Sequence, residues 1–502
     1  MDPIREAELL MTRRQLIGRS TLGIGTAALS RLLGLGGLTT LAGLAEGQSR
    51  GFPNFAPKAK RVIFLFMSGG PSHLDLWDYK PKLHDQFNLD LPDQVRRGQR
   101  VTTMTSGQTR FPIAPSVYKF NRHDNNAEGI WVSELLPHTA EVVKELCVVK
   151  SMWTDTINHD PATTFMQTGS PLPGRPSMGA WISYGLGSMN EDLPTYIVLH
   201  SKVSSNKPNQ AVYPRLWGTG FLPSEYQGVA LRSAGDPVLF LKDPEGLDRT
   251  TRRKMLDTVG ALNQQQLEAS GDPEIAARIK QYELAFRLQT SVPGLMDLSK
   301  ETPETFELYG KDAHEPGTFA SNCLLARRMV QSGVRFIQIF HRGWDLHSDL
   351  TVDIPSQAKD VDQGCAALIK DLKRTGLLDE TLVVWAGEFG RTVYCQGPLS
   401  QTNYGRDHHP RAFTIWMAGG GVKPGIVYGQ TDDYGYNIVD KDGGIIDPSI
   451  DEFTPGAVHI HDLQATILNQ LGIDHTKLTY RYQGRDFRLT DVHGHVVKDL
   501  LL

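Results

Sequence analysis

The chain has 502 residues, of which 40% are hydrophobic, and a formal net charge of -4. This length allows one large domain with insertions or two domains, and the charge balance gives no sign of a nucleic-acid-binding surface. The four cysteines, Cys147, Cys323, Cys365 and Cys395, are scattered without C-x-x-C spacing, which argues against a zinc ribbon or a dense disulfide scaffold.

The amino-terminal segment predicts export. Arg13 and Arg14 precede an apolar Leu-Ile pair, and a weakly hydrophobic, glycine-rich stretch follows to Ala45. We interpret residues 1–45 as a twin-arginine signal, with the twin-arginine translocase as a partner and a periplasmic or secreted location. The alternative is an uncleaved anchor, because the stretch is long enough to span a membrane. The glycines and the internal Arg31 weaken that interpretation.

Residues 46–502 are predicted to form an α/β domain. Strand patterns occur at 61–67, 146–150, 195–199, 237–241, 334–340, 381–386 and 413–418, and helical patterns at 317–331, 356–374 and 458–471. This alternation predicts a mostly parallel sheet with helices on both faces. A charged helical segment around 246–292 is expected to be an inserted hairpin or cap with a solvated face.

Carboxylate and imidazole groups follow three of the predicted strands. They are His73 and Asp75 after the first strand, Asp345 and His347 after the strand at 334–340, and Glu388, His408 and His409 after the strand at 381–386. Sheets of this class bind ligands at their strand tips, and mixed oxygen and nitrogen ligands suit zinc, manganese or iron better than calcium. We therefore predict a site for a divalent transition metal, zinc or manganese, with one or two ions. For any one of these residues alone, the alternative is a salt-bridged loop with exposed histidines.

Another polar segment, residues 151–169, follows the strand at 146–150. Pro161 is placed to begin a helix, and Thr156, Asn158 and His159 come just before it. Hydroxyl and amide groups at a helix amino terminus are suited to an anionic substrate. Ordinary helix capping by Asn158 or Asp160 is the alternative.

These segments together resemble one protein family. The motifs are Ser68-Gly69-Gly70-Pro71-Ser72-His73-Leu74-Asp75, Gly343-Trp344-Asp345-Leu346-His347, Gly387-Glu388-Phe389-Gly390-Arg391-Thr392, Gly405-Arg406-Asp407-His408-His409-Pro410, Ala418-Gly419-Gly420-Gly421 and His461-Asp462-Leu463-Gln464-Ala465-Thr466-Ile467-Leu468. They closely resemble the exported proteins of domain-of-unknown-function family 1501 (DUF1501), over nearly all of the chain after the signal. That family resembles a branch of the alkaline phosphatase and sulfatase superfamily. The resemblance implies an alkaline-phosphatase-like fold.

The resemblance also implies a ligand set. Asp345 and His347 resemble the superfamily's Asp and His pair for one metal, His408 resembles the late histidine that completes this site, and Glu388 stands where the other metal has an Asp. Phe389 stands where a metal-binding histidine is expected, and Ser68 where the first strand presents an Asp. The resemblance therefore implies a second metal position only if His73, Asp75 or His409 substitutes for these residues.

The predicted function is that of an exported metal-dependent hydrolase of phosphate or sulfate esters, on a small molecule or a polysaccharide. Thr156 or His159 meets the substrate with Asn158, Glu388 binds a second ion or acts as a base, and Arg391 or Arg406 steadies the anion. No Cys or Ser stands in a C/S-x-P-x-R motif, so the usual sulfatase nucleophile is absent. The alternative is a non-catalytic cell-surface or periplasmic binding or structural protein with a degraded site.

Overall fold

The structure is a computed structural model that describes residues 51–123, 129–205, 210–232, 237, 246–450 and 452–502. The predicted signal segment lies outside these residues. Among the helices that the structure describes, none is both long and apolar enough to cross a membrane.

The secondary structure alternates between strands and helices along most of the chain. The strands are β1 (Arg61–Met67), β2 (Phe120–His123), β3 (Ile130–Ser133), β4 (Leu146–Trp153), β5 (Tyr196–His200), β6 (Val229–Leu231), β7 (Phe336–His341), β8 (Thr381–Ala386), β9 (Gly390–Gln396), β10 (Gly405–His409), β11 (Phe413–Ala418), β12 (Ile426–Tyr428), β13 (Gln430–Thr431), β14 (Ile438–Val439), β15 (Val458–His459), β16 (Tyr480–Tyr482) and β17 (Arg485–Phe487). The helices are α1 (His73–Leu76), α2 (Asp93–Arg96), α3 (Pro137–Ala140), α4 (His159–Thr168), α5 (Met178–Leu186), α6 (Arg249–Ser270), α7 (Pro273–Met296), α8 (Pro303–Tyr309), α9 (Phe319–Gln331), α10 (Leu350–Arg374) and α11 (Ile460–Gln470).

The main sheet is mostly parallel, as predicted. Its strand order is β12-β4-β11-β8-β1-β7-β5-β6, and β15 also pairs with β4. Strand β1 lies in the middle and pairs in parallel with both β7 and β8, whereas β11 is antiparallel to β4 and β8. The carboxyl ends of β1, β7 and β8 therefore meet at one edge.

Both faces of the sheet are buried, which explains why its central strands are continuous apolar runs. Alternate side chains of β1 enter two different cores: Ile63 and Leu65 pack in the core that includes α9 and α10. Val62 and Phe64 pack in the core that includes α4, α5 and α11. Helices on both faces are thus confirmed.

The charged segment expected to be helical forms α6 and α7. Asp248 caps α6 by accepting hydrogen bonds from the backbone N–H groups of Thr250 and Thr251, and no residue of α6 is buried. The chain divides into two compact units, and residues 247–280 belong to the smaller one.

Some boundaries differ from the predictions. Helix α10 begins at Leu350 instead of 356 and keeps Pro355 inside it. The predicted strand at 237–241 lies outside the described residues except for Pro237. The four cysteines are buried free thiols.

Candidate metal centre

Four side chains meet beyond the carboxyl ends of the central strands. Asp345 and His347 lie in the loop after β7, His408 lies on β10, and His159 is the first residue of α4. One potential ligand atom from each lies within 4.8 Å of the other three. The sequence predicted three of these residues as metal ligands and His159 as a substrate contact.

The three imidazole rings are held in the same way. The Nδ1 atom of each ring faces an oxygen acceptor. His159 faces Glu388 Oε1 at 2.7 Å, and His408 faces the Ile157 carbonyl at 2.7 Å. His347 faces Gln396 Oε1 at 2.5 Å. An Nδ1–H that donates to such an acceptor leaves the lone pair of a neutral ring on Nε2. All three Nε2 atoms therefore turn towards the cluster with a lone pair available to a metal ion. Oxygen acceptors behind histidine ligands are the usual support of a metal site.

The donor atoms have the spacing of ligands around a common centre. Nε2 of His347 and Nε2 of His408 are 3.0 Å apart, and two unprotonated nitrogens this close repel unless a cation lies between them. Asp345 Oδ1 lies 2.8 Å from Nε2 of His347 and 3.5 Å from Nε2 of His408. Tetrahedral ligands about 2.0–2.1 Å from zinc are about 3.3 Å from one another. The four residues thus fit a metal ion.

His159 completes this arrangement on the other side. Its Nε2 lies 3.0 Å from Asp345 Oδ1, yet this buried nitrogen has no aligned hydrogen-bond partner. Burial would lower the pKa of His159, but its close approach to Asp345 and Glu388 outweighs burial and raises the pKa. The carboxylates of Asp345 and Glu388 therefore favour a positive charge at this position, either a proton on the His159 ring or a cation next to it.

Asp345 is fixed through both of its oxygens. Oδ1 accepts a hydrogen bond from Arg391 Nη2 at 2.7 Å, and Oδ2 accepts one from Gln210 Nε2 at 2.7 Å. Burial would raise the pKa of Asp345, but the Arg391 guanidinium and the neighbouring histidines hold it well below its usual range. Asp345 is therefore ionised, which is the form in which a carboxylate binds a metal ion.

His408 stays neutral in this environment. Burial, aided by the positive charge of Arg391 and opposed by Asp345, lowers the pKa of His408 to about 3. A neutral imidazole is the form that binds metal ions.

Glu388 lies behind His159 and is fully buried. Besides the contact with His159, Glu388 Oε1 accepts a hydrogen bond from the backbone N–H of Gly69 at 2.9 Å. Within the described part of the chain, Oε2 has no hydrogen-bond partner. Gly69 is required here, because a Cβ at this position would lie 2.5 Å from the backbone nitrogen of Asp345. The geometry makes Glu388 a carboxylate that orients a ligand histidine.

Arg391 is buried among backbone carbonyls. Its Nε donates to Gly70 O at 2.9 Å and its Nη1 to Arg406 O at 3.1 Å, in addition to the bond to Asp345. The guanidinium is 1% exposed. Because these donors are already used within the protein, the guanidinium is not placed to contact an anion directly, which differs from the predicted role.

The pairing of β9 with β10 directs His409 away from the cluster. His408 and His409 are neighbours on β10, so their side chains point to opposite faces. His409 Nε2 bonds the Tyr436 carbonyl at 2.6 Å. A bulge between Arg406 and His408 re-aims the strand, as bulges near functional sites do. His409 is therefore not placed as a ligand.

Arg406, Asp75 and His73 also do not join the cluster. Arg406 is fully buried and its Nε donates to Asp75 Oδ2 at 2.7 Å. Each neutralises the other, so Arg406 does not reach a substrate and Asp75 is not free to bind a metal. His73 Nε2 faces the Gly435 carbonyl at 3.0 Å.

Thr156 and Asn158 lie in the loop that leads into α4. The Thr156 hydroxyl is half-buried and 3.3 Å from the Thr154 hydroxyl. Asn158 occupies the N-cap position of α4 but makes no side-chain capping bond, and it is exposed.

Sequence reasoning missed the supports of the ligands. Gln396, Gln210, and the carbonyl of Ile157 carry no charge and match no motif. Asp407 is buried, and its Oδ1 accepts a hydrogen bond from the backbone N–H of His408 at 2.8 Å. In the sequence, only its position next to His408 suggests this role.

The chain belongs to the family described as "Protein of unknown function (DUF1501)", whose family model matches residues 59–501. This confirms the family membership that the motifs predicted.

Several solved structures resemble the chain distantly. The lipoteichoic acid synthase LtaP from Listeria monocytogenes has a TM-score of 0.33 at 10% identity, covering 83% of this chain and 73% of its own. A protein in the alkaline phosphatase superfamily from Vibrio parahaemolyticus has a TM-score of 0.32 at 10% identity, covering 84% and 68%. The PsFucS1 sulfatase from Pseudoalteromonas sp. has a TM-score of 0.31 at 11% identity, covering 84% and 68%. No curated protein is significantly similar to the chain.

Proposed function

We propose that this protein is an exported metal-dependent hydrolase of phosphate or sulfate esters that holds one divalent transition metal ion. The observation that carries the proposal is the convergence of three histidine Nε2 atoms and Asp345 Oδ1, with every Nδ1 held by an oxygen.

The donor set supports zinc or manganese. Three imidazole nitrogens and one carboxylate oxygen suit these metals, whereas calcium prefers oxygen ligands alone. His347 is 22% exposed, more than His408 at 4%. The solvent therefore approaches the cluster beside His347, and we expect a substrate oxygen to approach from the same side.

Neighbouring side chains support one ion instead of two. The Phe389 ring packs 4.6 Å from the His408 ring and 4.9 Å from the His159 ring, measured between centres. The Arg391 guanidinium donates hydrogen bonds to Asp345 and to the backbone carbonyl of Gly70, which follows β1. An apolar ring and a fixed cation thus occupy the surroundings that a second metal ion needs.

Different residues have different roles in the proposed reaction. A bound divalent ion supplies charge stabilisation to the ester oxygens and lowers the pKa of a hydroxyl or water nucleophile. Thr156 offers a hydroxyl in the loop whose Ile157 carbonyl supports His408. Glu388 orients His159, and Arg391 keeps Asp345 ionised.

The resemblance to the alkaline phosphatase and sulfatase superfamily supports an ester of phosphate or sulfate as the substrate. A single ion stabilises less charge than a two-metal clamp. We therefore expect a preference for phosphate diesters or sulfate esters, which carry one negative charge, over dianionic monoesters.

Export is part of the proposal and is supported by Arg13 and Arg14 before the apolar stretch. The twin-arginine route carries folded proteins, which fits a metal site assembled before export. The substrate then lies in the periplasm or outside the cell.

The test compares initial rates on matched aryl phosphate monoester, aryl phosphate diester and aryl sulfate, with and without a chelator. We expect chelator-sensitive hydrolysis of the diester or the sulfate, lost in Asp345→Asn and kept in His84→Ala, which changes an exposed histidine outside the cluster. Equal background rates for the wild type and Asp345→Asn on all three esters would instead favour a non-catalytic binding protein, the alternative that Phe389 suggests.

A further inference from the structure

A separate cavity of about 340 Å³ lies beside the candidate metal centre. Thr154, Asp155 and Ile157 form part of its wall, and these residues flank Thr156. The Ile157 carbonyl accepts the hydrogen bond from His408 Nδ1 at 2.7 Å. The cavity and the metal centre therefore share one loop.

Arginine side chains make part of this cavity positive. Arg97, Arg100 and Arg411 line it together with Asp447. Arg411 Nη2 lies 2.9 Å from Asp447 Oδ1, and Arg97 Nη2 lies 4.0 Å from Asp447 Oδ2. In the described part of the chain, no carboxylate lies within ion-pair distance of Arg100, which is exposed. At least one guanidinium thus remains available for an anion.

The same cavity also offers hydrogen-bond acceptors. Gln99 lines it, and Gln99 Oε1 is a buried atom that has no hydrogen-bond partner among the described residues. Its orientation is defined because Gln99 Nε2 donates to Asn437 Oδ1 at 2.6 Å, while Asn437 Nδ2 donates to two other oxygens. The carboxylate of Asp155 lines the cavity and is 48% exposed. Such acceptors suit the hydroxyl groups of a ligand.

We propose that this cavity, the arginine pocket, binds one anionic sugar unit that neighbours the ester cleaved at the metal centre. The guanidinium groups of Arg100 and Arg411 bind its sulfate, phosphate or carboxylate group, and Gln99 and Asp155 accept hydrogen bonds from its hydroxyls. The volume is at the small end of ligand sites, which suits a single sugar unit. This inference rests on the proposed function and narrows its substrate to an anionic saccharide.

The test measures binding by calorimetry, so that it does not depend on turnover. The probes are a disaccharide with one sulfate group, a disaccharide with a carboxylate group, and the neutral parent disaccharide. The wild type is compared with Arg100→Gln and Arg411→Gln. Arg481→Gln is the control, because Arg481 is 68% exposed and pairs with Asp486 instead.

We expect a charged disaccharide to bind at least about tenfold more tightly than the neutral one, because charge-assisted hydrogen bonds are the stronger ones. Arg100→Gln and Arg411→Gln should each weaken binding about tenfold, while Arg481→Gln should bind as the wild type does. The charged disaccharide that binds more tightly identifies the anionic group.

Equal affinity for charged and neutral disaccharides, or unchanged affinity in both pocket variants, would overturn the arginine pocket, even if the wild type hydrolyses aryl esters. Arginine-dependent binding without any ester hydrolysis would leave the pocket supported and refute the proposed function. The two failures are therefore distinguishable.

Discussion

Replacing Glu388 by glutamine tests whether this buried side chain serves the metal centre. The substitution keeps an oxygen that accepts from His159 Nδ1 and from the Gly69 N–H, and it removes the negative charge. Loss of such a supporting carboxylate weakens metal affinity by about 10- to 100-fold. We expect this loss for zinc binding to Glu388→Gln.

The effect on stability follows from linkage. At a free zinc concentration 100 times the wild-type Kd, bound metal adds about 2.7 kcal/mol to the free energy of unfolding. With a Kd weakened 10- to 100-fold, the same concentration adds about 1.4 to about 0.4 kcal/mol. Denaturant unfolding with and without zinc measures this increment. Because the increment is a difference between two free energies of unfolding, any effect of the substitution on the metal-free protein cancels.

The control is Glu301→Gln, which removes a largely buried carboxylate paired with Arg327 and Arg328 and lies outside the cluster. We expect this variant to be less stable in both states but to keep the full zinc increment. An unchanged increment in Glu388→Gln would refute the role given to Glu388.

Further substitutions test other parts of the account. A Cβ at Gly405 would lie 1.7 Å from the backbone oxygen of His347, whereas a Cβ at Gly107 would meet nothing within 4 Å. Gly405→Ala should therefore lower the free energy of unfolding by about 1–3 kcal/mol and reduce the amount of bound zinc in metal analysis. The control variant Gly107→Ala should change neither quantity. Burial lowers the pKa of His461 from 6.5 to about 3. The stabilisation that depends on neutral His461 is therefore complete above pH 6.5 and is lost as the pH falls towards 3, by about 1.4 kcal/mol per pH unit. The free energy of unfolding of His461→Gln should depend less steeply on pH in this range, and an equal dependence in both proteins would contradict this. Changing Arg13 and Arg14 to lysine should leave folded protein in the cytoplasm on fractionation, and unchanged export would refute the signal.

The core of the fold and three residues of the cluster could be predicted from the sequence because the signals are local. The apolar runs at β1, β7 and β8 show strands directly, and parallel strands bring their carboxyl ends to one edge. Asp345 lies just past such a strand, and the structure brings it into the cluster.

The remainder of the site depends on strand register. His408 and His409 are equivalent in sequence terms, and only the β9–β10 pairing with its bulge decides which one faces the cluster. Arg406 looks like an anion contact until Asp75, 331 residues away in the chain, is seen to neutralise it.

The fourth ligand depends on a contact between distant elements. His159 begins α4, and a histidine at a helix start suggests a cap or a substrate contact. Its pairing with Glu388, 229 residues away, can be predicted only once the packing of α4 against the tip of β8 is known.

The most direct test of the central claim is X-ray absorption on the protein loaded with one equivalent of zinc. The account predicts one tightly bound ion with three nitrogen ligands and at least one oxygen ligand at about 2.0–2.2 Å, and weakened binding in His347→Ala and His159→Ala. No stoichiometric binding, or a spectrum without histidine ligands, would contradict it.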